Sequence, residues 1–408
     1  MSLDTTTEPE ELAGGPGLRR HGLARSILQR LISCIDAGRL TVVTPSGERI
    51  DYQAAEPGPE AMLVLNRWRA LRRIVIGGDI GFAEAYIDGD WSSPDLASLI
   101  ALATRNGDRL DRAILGWLPL RALNRLRHVS NMNTKRGSRR NIAFHYDLGN
   151  DFYRSWLDRS MTYSSALYQH PGEALEAAQQ AKCQQIIGAL ELRGGERVLE
   201  IGCGWGALAA ELARHGAKVI GLTLSSRQLA HGQDLVIAEG LADRVELRLQ
   251  DYRDSEGWFD RIVSVEMLEA VGEHYWPVYF ATLRQRLKAG GKAVLQAITI
   301  AEERFDSYRK GTDFIQRYIF PGGALPTRTV IAEQAQRAGL VLDSVASFGD
   351  SYALTLAEWR RRFLEGWPVI ERLGFRPSFR RLWEYYLSYC EAGFRMKVLD
   401  VGIYSLKG

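Results

Sequence analysis

Cysteine is scarce in this chain. Cys34, Cys183, Cys203 and Cys390 are the only four, and none forms a CxxC pair. Such spacing supports neither a disulfide framework nor a zinc site and reads as reduced thiols. The seven histidines are scattered, with no HExxH and no paired HxH, so no protein-bound metal is expected. No apolar run approaches the roughly 20 residues that span a bilayer. Charge of one sign is also lacking: the formal net charge is +3 over 408 residues, so basic behaviour must come from local clustering. The opening "MSLDTTTEPEELAGGPG" has no basic-then-apolar leader pattern, and a cytoplasmic location is the expectation.

What remains is the profile of a globular protein, 46% hydrophobic and 25% charged, with a length that suits two domains. Residues 1–18 are polar and rich in glycine and proline, which predicts a disordered tail. Residues 19–120 mix patterns. "HGLARSILQRLISCIDAG" has helical spacing, "RLTVVTPSGERIDY" suggests two strands around a turn, "MLVLN" another strand, and "RALRRIVIGG" and "DLASLIALATRN" helices. A small α+β domain follows from that mixture. The linker at 121–144 begins with "RALNRLRHVSNMNTKRGSRR", seven basic residues and no acidic one. It is either a solvated connector or a contact with anionic lipid headgroups, each basic residue contributing about 1 kcal/mol there. Nucleic acid is disfavoured, because the run has no aromatic residue to stack on bases.

From residue 172 helices and strands alternate, within a second domain placed at 145–408. "RVLEIGCG", "KVIGLTLS", "VELRLQDY", "FDRIVSVEM" and "GKAVLQAITI" are strands separated by helical segments such as "EALEAAQQAKCQQIIGAL". Repeated units of this kind predict an α/β fold, a parallel sheet with helices on both faces and ligands at the carboxyl ends of its strands. Two features stand at those ends. "VLEIGCGWG" places Gly202, Gly204 and Gly206 where a strand turns into a helix, behind Glu200. The spacing is GxGxG, a poor match to the GxGxxG of a pyrophosphate cradle, and a buried glutamate suits a cationic amine. "SVEMLEAVGEHYW" sets Glu266 and Glu269 behind a buried strand.

The glycine turn with its glutamate resembles the first motif of class I methyltransferases, which bind S-adenosylmethionine, and a Rossmann-like class I sheet is the fold it implies. Asp251, in "LQDY", would serve the adenine end. "HYDLGNDFYRSWLDRSMTYSSALY", "GLTLSSRQL", "LQDYRD", "VEMLEAVG", "RYIFPGGALP" and "YYLSYCEAGFR" then follow in order. Together they resemble the cyclopropane-fatty-acyl-phospholipid synthase family over about residues 27–406. The resemblance implies transfer of a methylene from S-adenosylmethionine to the cis double bond of an unsaturated phospholipid acyl chain, through a carbocation deprotonated by bound bicarbonate. It further implies that Thr223, Leu224, Ser225 and Gln228 replace the usual ribose carboxylate. Tyr163 and Ser164 close over the cofactor, and Tyr252 covers the adenine. Glu269 holds the bicarbonate hydroxyl and Tyr352 donates to the ion, with the Ser165 backbone N–H, Gln296 and Ile298 beside it. Two full negative charges about 4 Å apart repel by about 4 kcal/mol at an effective dielectric of about 20, which hydrogen bonding and the sulfonium must offset. Cys390 matches a cysteine that the family counts in its active site, although a structural helix thiol is the other reading. A homodimer and peripheral attachment to an anionic membrane surface belong to the same expectation.

Ser165, Ala270 and Gln296 stand where the commonest family pattern has cysteine, histidine and histidine, and resemble a branch typified by plant enzymes. Those changes leave open a second product, a methyl- or methylene-branched chain. From other classes, a non-catalytic lipid-binding protein and a nucleic-acid methyltransferase are the alternatives. The latter lacks support because "VEMLEAVG" stands where an Asn/Asp-Pro-Pro-aromatic motif would be.

Overall fold

A computed structural model describes residues 16–114 and 148–408. The first helix begins at Pro16, three residues before the boundary read from the sequence. The basic run at 121–140 and most of the expected linker lie outside the described residues, as does the start of the second domain as drawn at 145.

Residues 37–92 build a four-stranded sheet from β1 (Ala37–Val43), β2 (Arg49–Gln53), β3 (Glu56–Leu65) and β4 (Trp91–Ser92), in the order β2-β1-β3-β4. β1 and β2 pair antiparallel around the Pro-Ser-Gly turn, as expected, whereas β1 and β3 run parallel. Helices Arg69–Ile87 and Leu96–Arg105 complete this unit. Asp95 caps the second by accepting from the Ser98 N–H, which satisfies one of the free donors of its first turn.

The large sheet has seven strands: β5 (Arg197–Ile201), β6 (Lys218–Thr223), β7 (Val245–Leu249), β8 (Phe259–Val265), β9 (Leu287–Ile300), β10 (Val341–Ser347) and β11 (Leu399–Lys407). Their order is β10-β11-β9-β8-β5-β6-β7. β5 to β9 are mutually parallel, and β11 runs antiparallel between β9 and β10. Side chains alternate across such a sheet, and the burial follows. Leu199, Ile201, Ile262, Leu295 and Tyr404 enter the core under helices Trp276–Arg286 and Arg328–Arg337. Val198, Val263, Val294 and Ile403 enter the core under helices Leu175–Leu190 and Ala207–Arg214. Strands buried on both faces read as continuous apolar runs, which is why β5 and β8 were legible. β10 and β11 were not identified, because no βα repeat marks them.

The two units share one hydrophobic core. Trp91 and Leu99 of the first cluster with Trp156, Trp359 and Trp383 of the second. Helix Pro377–Arg395 forms the seam: Arg381 donates to the backbone oxygens of Tyr86 (2.6 Å) and Trp91 (2.8 Å), and Tyr86 OH donates to Glu384 at 3.0 Å. The Arg381 guanidinium lies 4.2 Å from the Tyr86 ring centroid, a stacking that adds about 0.5–2 kcal/mol. The first unit thus braces the helical layer that carries Tyr352 and Cys390.

Candidate functional site: a cofactor cleft backed by paired carboxyls

β5 is the strand where the order reverses, with β8 on one side and β6 on the other. A crevice opens at the carboxyl ends of such neighbours, and here it is a cleft lined from the ends of β5, β6 and β8. Gly202, Gly204 and Gly206 have φ of 85°, 53° and 92°, the left-handed region where a Cβ is disfavoured. Gly202 and Gly204 line the cleft. Gly206 does not; a Cβ there would meet Gly232 Cα at 3.2 Å, so this glycine lets two helices approach.

Glu200 leaves the end of β5 into the cleft, buried, with Oε2 lacking a partner. Burial pushes its carboxyl up to about 8, against the pull of Lys182. An unpartnered buried acid is costly, and an incoming ammonium or sulfonium group would remove the cost. Tyr163, Ser164, Thr223, Leu224, Gln228 and Tyr252 also line this cleft. Thr223 Oγ1 donates to Gln228 Oε1 at 2.8 Å and accepts from the Ser225 N–H at 3.1 Å, which fixes the turn after β6. Tyr252 presents a buried hydroxyl with no partner, a second waiting group. Asp251 is placed differently from expectation. Its carboxylate receives the Arg253 N–H at 3.0 Å and pairs with the Arg253 guanidinium at 2.6 Å, while Gln250, one residue earlier, faces the cleft.

The segment from Met161 to Ala166 forms the opposite wall. Asp158 caps it, accepting from the Ser160 and Thr162 N–H groups at 2.9 and 3.1 Å. Thr355 Oγ1 accepts from the Ala166 N–H at 3.1 Å. Tyr163 OH meets Tyr386 OH at 2.7 Å, and Lys182 Nζ donates to Ser164 Oγ at 2.8 Å.

Glu266 follows directly on β8 and reaches the floor of the same cleft. Three donors converge on it: the Ser165 N–H at 2.8 Å, Gln296 Nε2 at 2.9 Å and Tyr352 OH at 2.6 Å. Glu269, one helical turn further on and buried, accepts from the Ile298 N–H and leaves Oε2 unpartnered. Burial raises the Glu266 carboxyl and the three donors pull it back. Glu269 is pushed up to about 8 by burial and then by the charge of Glu266. Burial and the same charge hold the Tyr352 hydroxyl protonated. The better-solvated acid of such a pair ionises first. Here that is Glu266.

The donors of the expected anion site are occupied from within the chain. Ser165, Gln296, Tyr352 and Ile298 all have their donors engaged, three by Glu266 and one by Glu269. A separate bicarbonate does not fit that donor set, because the chain's own carboxylates already fill it. Glu269, Tyr352 and Cys390 do not line the cleft and stand behind Glu266.

Cys390 is packed against the core on helix Pro377–Arg395. Burial, then the charges of Asp313 and Glu266, raises its thiol far above the usual range, so it is no thiolate. Cys390→Ser should keep turnover within about threefold, under about 1 kcal/mol in the barrier; a loss of activity at unchanged thermal stability would assign it a chemical role.

Two residues of the site had no assigned role in the sequence. Lys182 lies on the buried stripe Leu175, Ala178, Lys182, Ile186 of its helix, where a lysine among apolar residues was the available signal. Glu266 stood in the quoted motif, but its partner Gln296 is brought to it only by the pairing of β8 with β9, where Val265 faces Gln296.

The family model for mycolic acid cyclopropane synthetase matches residues 133–403. The tuberculostearic acid methyltransferase of Mycobacterium tuberculosis is 41% identical over 357 residues, covering 85% of this chain and 83% of that protein. The cyclopropane-fatty-acyl-phospholipid synthase of Escherichia coli is 37% identical over 335 residues, covering 81% and 83%. A solved mycolic acid cyclopropane synthase complexed with SAH and CTAB superposes with a TM-score of 0.62 at 31% identity, over 66% of this chain and 98% of that one. The seven-stranded sheet, the glycine turn and these likenesses agree: the chain belongs to the mycolic acid cyclopropane synthetase family and is an S-adenosylmethionine-dependent methyltransferase of the cyclopropane synthase type.

Proposed function

We propose that this chain adds one carbon from S-adenosylmethionine to the cis double bond of an unsaturated phospholipid acyl chain and closes a cyclopropane ring. The observation that carries this reading is the pair Glu266 and Glu269: Glu266 lines the cofactor cleft and accepts from Tyr352 OH, and Glu269 stands behind it. When bound, the cofactor supplies an electrophilic methyl on a sulfonium. The chain must hold an alkene, a weak nucleophile, against that carbon and exclude water. Glu200 and the glycine turn orient the cofactor. Tyr163 lines the cleft and packs on Trp359 (centroids 5.3 Å apart); its ring offers an aromatic face to a passing carbocation, worth about 0.5–2 kcal/mol. A carboxylate then takes the proton.

Such a substrate sits in a bilayer, so the enzyme works at a membrane surface. Among the described residues no helix is long and apolar enough to cross one. The basic residues Arg136, Arg139 and Arg140 are proposed to contribute to that attachment through their charge.

A second reading, a methyl- or methylene-branched product, is favoured by the 41% identity to a protein named for tuberculostearic acid. Analysis of phospholipid acyl chains from cells expressing this protein separates the two. Cyclopropanation gives chains that gain one CH2 and resist ozonolysis. A chain that gains CH2 but is cleaved by ozone moves the conclusion to the methylene product. No release of S-adenosylhomocysteine with unsaturated phospholipid vesicles would leave a lipid-binding role.

A further inference from the structure

We propose that the Glu266 carboxylate is itself the proton acceptor of the reaction, built into the chain in the place where a free bicarbonate was expected. The inference rests on the transfer reaction proposed above and names its base.

Three observations support it. Three of the four donors expected to hold an external anion converge on this one side chain, the Ser165 N–H at 2.8 Å, Gln296 Nε2 at 2.9 Å and Tyr352 OH at 2.6 Å, while the Ile298 N–H goes to Glu269. These are an amide N–H, a carboxamide and a hydroxyl, a set that binds any carboxylate or carbonate oxygen equally well. Second, Glu266 lines the cleft shared with Glu200, Gly202 and Gly204, whereas Glu269 does not. The first acid is therefore the one with access to reacting atoms. Third, Glu266 is held at φ 50°, a left-handed conformation that costs a non-glycine residue about 1–2 kcal/mol. Its backbone N–H is fixed at 2.7 Å from the Gln296 carbonyl oxygen. Main chain and side chain are thus both tied to Gln296, and strain retained under such restraint is a mark of functional positions.

Glu269 fits this arrangement as the neutral neighbour. With one donor and an unpartnered oxygen it keeps its proton more readily than Glu266 does, which leaves one charge on the pair. Tyr352 is a positioning residue: its hydroxyl stays protonated and fixes the Glu266 oxygen it touches.

The step balances without a co-reactant. The alkene electron pair forms a bond to the transferred methyl carbon as the carbon–sulfur bond breaks, its pair staying on sulfur. Positive charge is left on the neighbouring chain carbon. A C–H bond of the new methyl then breaks. Its electron pair closes the ring and its proton passes to Glu266. A bicarbonate would have to displace a tethered carboxylate that pays no translational entropy to be there.

The test uses the full chain with mixed dioleoyl phosphatidylethanolamine and phosphatidylglycerol vesicles, in buffer freed of carbon dioxide or supplemented with bicarbonate. Wild-type turnover should be the same in both, and carbon-13-labelled bicarbonate should show no saturable line broadening with the cofactor-free protein. Glu266→Gly, which suits the local φ, should lose about 100-fold or more of turnover, the share typical of a general base. It should regain activity as bicarbonate is added and should bind the labelled ion. Glu266→Gln fills the same space without a basic oxygen and should lose turnover without recovery. Affinity for S-adenosylmethionine reports that each variant is folded. Wild-type turnover that needs bicarbonate, or saturable binding of bicarbonate by the wild type, overturns the assignment and leaves the transfer reaction standing. Both of those measurements need no variant. No one-carbon product on lipid at any bicarbonate concentration overturns the transfer reaction as well.

Discussion

Glu200→Gln is expected to weaken S-adenosylmethionine binding by about 10–100-fold, the size of a lost charge-assisted hydrogen bond of about 1.5–3 kcal/mol. The carboxyl is buried, has an unpartnered oxygen and sits at about 8 in the protein without cofactor. A cationic ligand binds the ionised form, so binding below pH 8 expels a proton. Wild-type affinity should therefore climb by up to about tenfold per pH unit from 6 toward 8. It then levels and declines as the ligand's α-amino group, which titrates at about 8, loses its charge. Isothermal titration in buffers of different ionisation enthalpy reads the proton directly. In the glutamine variant the release should vanish. Stability moves the other way. A carboxyl raised in the folded state from its ordinary 4.5 to about 8 binds more protons folded than unfolded between those values. The cofactor-free wild type thus loses stability as pH rises through that window, and the glutamine variant does not. Above pH 8 the cofactor-free variant should melt higher than the wild type. A variant that binds the cofactor normally, or melts lower there, would remove Glu200 from the cofactor site.

The second large effect is expected at Gly202. Its φ of 85° is unfavourable for any side chain, and a Cβ would lie 2.4 Å from Met267 Cγ and 2.6 Å from Met267 Sδ. Met267 lines the cleft beside Glu266, so its displacement disturbs the volume meant for the cofactor. Strain and overpacking together cost about 2–4 kcal/mol. Gly202→Ala should bind S-adenosylmethionine at least about 30-fold more weakly and melt several degrees lower. Gly204→Ala separates the two causes. Its φ is also positive, at 53°, but nothing lies within 4 Å of the new Cβ. It should lose stability without pushing on Met267. Equal effects at the two positions would show that backbone strain alone decides.

Much of the fold could be read along the chain. β5, β6, β8 and β9 carry apolar runs closed by turn residues, and a buried parallel strand advertises itself in that way; β7, at the sheet edge, shows alternation instead. β10 escaped because it is exposed along much of its length. β11 escaped because it enters the sheet antiparallel after the last helix, with no crossover to announce it. Much of the cleft lining could be read locally, since Glu200, Gly202, Gly204 and the Thr223–Gln228 turn are each close in sequence and line it. Asp251 shows the limit: its strand-end position was right, but the nearby Arg253 takes the carboxylate.

The sequence by itself determined the α/β architecture, the family and the cofactor end of the site, because periodicity, glycine spacing and short motifs are properties of neighbouring residues. Only the tertiary structure decided what surrounds Glu266. Its donors come from positions 165, 296 and 352, on a wall segment, a neighbouring strand and a helix that no local pattern relates. It also decided that the first unit and the helices behind the site share one core, since hydrophobic burial has no direction and joins whatever surfaces the topology brings together.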